Sequence, residues 1–209
     1  MIRNVSLCFA LAASMAFGSV SRAEQMETIA PDVVQLYAQH LTELFEKDVQ
    51  DRQVKFDVDV AQATGLHIGN DGVIVVPIKG LKAGSPDPAV ETENGAGLCY
   101  LFMSTCYAPK IDGKPVDATK LRRLKIKDGE GNDRETICVL VTVKHVDGDD
   151  WRLYGFGTEK APVLKPQFGE AVSGGDKPLS IRAKSAGSST NLEFTLFGKY
   201  AASIEIGSK

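Results

Sequence analysis

The sequence predicts an antiparallel β-sandwich, or a barrel-like relative of one, with a single amphipathic helix near its start. Three observations carry this. The hydrophobic period changes from 3.6 to 2 after Gln50, turn residues recur at short intervals beyond it, and no helices alternate with the strands as a βαβ chain requires. With 43% hydrophobic residues in 209, the chain can bury a sizeable core.

The first segment stands outside that fold. Arg3 precedes an apolar stretch from Val5 to about Val20, which ends at Ser21-Arg22-Ala23, small residues at the two positions a signal peptidase inspects. At roughly 16 residues the stretch is shorter than the ~20 that span a bilayer, and no basic stop-transfer cluster follows. Residues 1–23 are therefore expected to be a secretory signal peptide cut between Ala23 and Glu24. Cys8 leaves with it. The mature chain is expected in the periplasm or outside the cell, without a membrane span. Losing Arg3 and Arg22 makes it more acidic than the whole chain's net charge of −3, which speaks against nucleic acid or an anionic membrane surface as partner.

Residues 24–50 form the helical segment, expected to pack on a β-domain of residues 51–209. From Pro31 to Lys47, Val34, Tyr37, Leu41, Leu44 and Phe45 recur at i, i+3, i+4 spacing. Pro31 and Asp32 suit a first turn, where a missing N–H costs nothing and a carboxylate favours the dipole. The stripe must lie on something, and His40 falls beside it as a surface or boundary histidine.

Strands follow. Val54 to Val60 alternates apolar and charged residues, as a half-buried strand does. Leu66–Ile68 and Val73–Ile78 flank Gly69-Asn70-Asp71-Gly72 and predict a hairpin, whose second arm lies at an edge or is ending at Pro77. Further strands are expected near 98–106, 121–127, 136–146, 151–157, 178–184, 191–197 and 200–206. The basic stretch Lys120 to Lys127 is read as a strand with a charged solvent side. If Asp147 to Asp150 make a four-residue loop, Val139, Val141, Val143, Tyr154 and Phe156 share the core face. Trp151 and Leu153 then share the other, covering a second cluster or offering a surface to a partner or glycan.

Three cysteines remain after Ala23. In a strand, Cys99 and Met103 share a face and Cys106 takes the opposite one. In a helix, the two cysteines stand about 10 Å apart along the axis. Neither brings Cα atoms within the roughly 7 Å of a disulfide, so Cys99 and Cys106 are not partners, and Cys138 is the member expected in any bridge. No C-x-x-C is present, and no Cys/His pair has zinc spacing. The acidic run Asp128 to Glu135 lacks the sixth-position glycine and twelfth-position glutamate of a calcium loop. No cofactor or metal site is expected. Catalytic motifs of the G-x-S-x-G, H-E-x-x-H, Walker and dinucleotide types are absent, and His40, His67 and His145 are the only histidines. The expected function is a non-catalytic exported β-domain that binds a protein or glycan or serves in an envelope assembly. The alternative is a small exported hydrolase or metal-handling protein whose site is assembled from distant strands.

Overall fold

The computed structural model describes residues 26–48, 55–82, 93–127, 131–171, 177–186 and 189–207. The expected signal peptide and its cut lie outside them, as does the start of the acidic run at 128–130. Along the described chain run β1 (Glu27–Thr28), α1 (Pro31–Asp48), β2 (Thr64–Ile68), β3 (Asp71–Pro77), β4 (Ala96–Ser104), β5 (Pro109–Ile111) and β6 (Lys114–Pro115). After these come β7 (Arg122–Lys127), β8 (Asp133–Asp147), β9 (Asp150–Phe156), β10 (Gly169–Glu170), β11 (Leu179–Ala186), β12 (Ser189–Leu196) and β13 (Tyr200–Ile206).

Two antiparallel sheets result, and neither closes into a barrel. The first has the order β1-β2-β3-β4-β8-β7, with β9 beside the later half of β8; the second runs β11-β12-β13-β5-β6, with β10 beside the start of β13. The chain crosses between them at a short turn, Thr105–Tyr107, and returns through another at Ala118–Lys120.

Side-chain alternation explains the layering. On β3, β4 and β8, Val73, Val75, Cys99, Leu101, Ile137, Val139 and Val141 point at the second sheet, where Leu192, Phe194, Ile204 and Ile206 meet them. The intervening Ile74, Val76, Tyr100, Phe102, Cys138 and Leu140 point the other way, beneath the helix. Burial on both faces is why these three strands are almost continuously apolar. The molecule is a sandwich of two sheets with α1 as a third layer on the first.

The helix lies as expected, but its buried stripe is rotated. Val34, Ala38, Leu41, Thr42 and Phe45 face the sheet, whereas Tyr37 is exposed and Leu44 only half-buried. Beneath its start, a Cβ on Gly65 would sit 2.8 Å from Ile29 and 2.9 Å from Val34. That glycine lets the helix descend onto β2. Val54 to Val60 is not the expected strand: the described part is an extended segment with a single bridge, Val58 to Ile78, and a short 3-10 turn from Val60. Its alternation has another cause. Phe56 and Val58 roof the sheet alongside the helix, so burial, not ladder pairing, sets the period. Pro77 closes β3, which pairs on both sides and is no edge strand.

Thr42 offers a simple test of this layer. It is 7% exposed and its hydroxyl has no hydrogen-bond partner. An unpaired buried hydroxyl costs roughly 1–3 kcal/mol. Thr42→Val is therefore expected to raise stability by about 1 kcal/mol, read as a higher urea midpoint at unchanged m-value.

Candidate functional site: a groove beside the helix

Six strands at ~4.8 Å spacing make a sheet face roughly 24 Å wide, and one helix covers about 10 Å of it. The helix crosses obliquely, from Gly65 on β2 to β7, where Arg122 pairs with Asp48 at 2.8 Å. One flank of the helix is filled by Phe56, whose ring stacks on Tyr100 at 5.3 Å over the bare backbone of Gly97. The Tyr100 hydroxyl accepts the Phe56 N–H at 2.8 Å. Burial pushes this phenol up to about 12.

The other flank is open. There a groove of about 730 Å³ runs between α1 and the ends of β2, β3, β4, β8 and β7. Half-buried Ile126 lies on its floor, with Ile74 and Phe102 nearly covered beneath it at 7% and 1% exposure, and its helical wall is Val33, Tyr37 and His40. Val33, Leu36 and Tyr37, at i, i+3 and i+4, are 41%, 71% and 47% exposed, a second apolar stripe unused by the fold. Polar groups occupy the rim. His67 donates from Nδ1 to the Gly69 carbonyl at 3.1 Å, and Ser104 Oγ accepts the Gly72 N–H at 3.0 Å. Lys127 and Arg134 stand at the β7–β8 end, and Asp71 at the β2–β3 turn.

The Ser104 oxygen accepts from the backbone, and outside the groove lining, beside Asp71, the Cys106 thiol is shifted. Burial first, and then the Asp71 carboxylate, pushes it from an ordinary 9.0 up to about 11. A thiol so shifted is a poor nucleophile at neutral pH. Among the described residues, no three His, Cys, Asp or Glu side chains gather as a metal site. The raised thiol and phenol values also fix a pH dependence. Below about pH 9 the folded and unfolded chains both keep these protons, so the contribution is fully present. Above it the unfolded chain ionises first, and stability is lost as pH rises through 11 and 12. Urea midpoints are expected to be flat from pH 7 to 8.5 with respect to these groups and to fall by pH 10.5. A midpoint that rises over that interval would contradict the burial of Cys106 and Tyr100.

The residues singled out from the sequence lie elsewhere. Asp147 pairs directly with Asp150 across a two-residue turn, and a bulge between His145 and Asp147 shifts the β8–β9 register by one. A one-residue slip exchanges the faces. Trp151 and Leu153 therefore face the second sheet, while Tyr154 and Phe156 lie on the helix side, reversing the expected assignment. Leu153 is 0% exposed and offers no surface to a partner. Trp151 is half-buried against the core between the sheets, and His145 stacks on it at 4.6 Å. Both sit across the first sheet from the groove.

Among the cysteines the facing of Cys106 is corrected, while the expectation for Cys138 applied only to a bridge. Cys138 is not in a bridge: Cys99, Cys106 and Cys138 are all free. Phe102 is the β4 residue opposite Cys138, and Cys99 lies on the other face of the sheet, so no strand neighbour presents it a thiol. Cys106 does not take the face opposite Cys99. The Thr105–Tyr107 turn swings it back toward the core between the sheets. The groove itself escaped sequence reasoning. Its one local signal was the surplus of apolar residues on the helix, more than a single buried face can use.

No protein-family model matches the chain, and no curated protein or solved structure matches it. Among the described residues, no helix is long and apolar enough to cross a membrane.

Proposed function

We propose that the protein is an exported, non-catalytic binding module that takes an apolar part of its partner into the groove beside α1. The observation that carries this is the open flank: Val33, Tyr37 and half-buried Ile126 line a cavity of about 730 Å³, within the range of ligand sites. A monomer has no folding reason to leave Val33, Leu36 and Tyr37 in water on one helical turn. The Ser104 oxygen, occupied by the Gly72 N–H, supports binding over catalysis. Export rests on the basic, apolar and small-residue pattern ahead of Glu24.

Nile red, uncharged and fluorescent only in apolar surroundings, tests the groove without depending on rim charge. The protein is expected to bind it at one site, and the double variant Val33→Glu/Tyr37→Glu to lose it. Both positions are exposed, so each change should alter stability by no more than about 0.5 kcal/mol. Dye binding that survives in the double variant, or no binding by the parent, would remove the proposal.

A further inference from the structure

Val33, Leu36 and Tyr37 begin a longer stripe on α1. Exposed His40 and Lys47 continue it, with half-buried Leu44 between them. Val33, Tyr37, His40, Leu44 and Lys47 are spaced 4, 3, 4 and 3 residues apart, the period of a coiled-coil seam. At ~1.5 Å rise per residue the seam is about 21 Å long, and Leu36 flanks it. It runs along the solvent side of the helix and needs nothing from the sheet, where Ile74 and Phe102 are already packed beneath α1. The two ends of the seam differ in charge. Asp32 stands in the first turn and Lys47 in the last, both exposed. Asp48, the other acid at the end of the helix, is engaged by Arg122 of the chain's own β7 at 2.8 Å.

From this pattern we infer that α1 pairs with α1 of a second copy of the chain, antiparallel, about a two-fold axis near His40. A two-fold contact must be self-complementary, and in this orientation the stripe is. Tyr37 of each copy meets Leu44 of the other, and Leu36 covers the stem of Glu43, so no like charge faces Glu43 across the axis. Asp32 of each copy meets Lys47 of the other, an ion pair made twice. A parallel pair would instead set Asp32 against Asp32 and Lys47 against Lys47, and align the two helix dipoles. Charge therefore selects the antiparallel second copy. The interface is small. One helix flank falls well short of the ~800 Å² per partner of a standard interface, so the dimer is weak, with a dissociation constant on the order of 100 µM. At about 5 µM the chain is monomeric, which leaves dye binding and urea unfolding clear of this equilibrium.

Sedimentation equilibrium of the exported protein, from about 5 µM to about 500 µM, brackets this constant. A monomer–dimer equilibrium is expected, weakened about tenfold or more in Leu36→Glu. Asp32→Lys and Lys47→Glu each turn two attractive pairs into repulsive ones. Each is expected to weaken the dimer about tenfold, and Asp32→Lys/Lys47→Glu to recover the parent constant within about threefold. Both changes oppose the helix dipole, so the double variant is the least stable of the three and its recovery cannot come from better folding. A parent that stays monomeric throughout, a dimer untouched by Leu36→Glu, or a double variant as weak as the singles would each overturn the inference. Leu36 and Lys47 lie outside the groove lining, so the groove reading is tested separately. A chain that binds Nile red but never dimerises loses this inference alone. One that dimerises as expected but binds no dye loses the groove reading alone.

Discussion

Phe45→Ala is expected to lower the unfolding free energy by about 3–5 kcal/mol, the largest effect of any single helix substitution. Phe45 is 0% exposed and forms the centre of the layer beneath α1. Its ring lies 4.7 Å from Tyr100 at a 58° tilt and 6.4 Å from Phe102, edge-on, with the Arg122 guanidinium 6.0 Å above it. Truncation removes both aromatic contacts, each contributing roughly 0.5–1.5 kcal/mol beyond area, and opens a cavity that the rigid sheet cannot collapse to fill. Leu36→Ala on the same helix is the control. At 71% exposure it loses little burial and should stay within about 0.5 kcal/mol of the parent. Urea unfolding of both variants decides this, and equal losses would contradict the burial of Phe45 beneath the helix.

Gly157→Ala should cost about 2–4 kcal/mol, summing overpacking with a lost backbone hydrogen bond. Gly157 follows β9 where the chain passes directly over the Ala118–Lys120 turn, and an added Cβ would overlap the Lys120 carbonyl oxygen. That oxygen accepts the Thr158 N–H at 3.0 Å, so relieving the overlap breaks the bond holding the two segments together. Leu121, 4% exposed in the core between the sheets, would move with it. Gly169→Ala is the matched comparison. Nothing lies within 4 Å of a Cβ there, and its backbone φ is ordinary. The urea midpoint of Gly157→Ala should fall while that of Gly169→Ala stays put; two equal midpoints would mean the close crossing is not there.

Much of the fold was legible because it rests on local periodicity. The hairpin at Gly69-Asn70, the strands of both sheets and the helix from Pro31 each follow from spacing and turn chemistry within one window. What failed depended on contacts outside that window. Val54–Val60 alternates like a strand, yet Phe56 and Val58 roof the sheet and only Val58 pairs, in a single bridge to Ile78. The faces of β9 were reversed by one bulged residue, which parity counting from a four-residue loop could not foresee. The short β5, β6 and β10 have no period of their own and exist because the second sheet offers them an edge. The candidate site was least legible of all. It is a gap defined by the width of a sheet against the width of a helix, and neither number is written in any motif.

Methyl NMR of the isoleucines tests the groove most directly, since they are distributed over both apolar layers. Ile29, Ile74 and Ile126 line the groove, whereas Ile181, Ile204 and Ile206 lie in the core between the sheets. On titration with Nile red, the first three methyl groups should shift together along one saturation curve while the last three hold still. Shifts confined to Ile181, Ile204 and Ile206, or saturating dye fluorescence with Ile74 and Ile126 unmoved, would contradict the account.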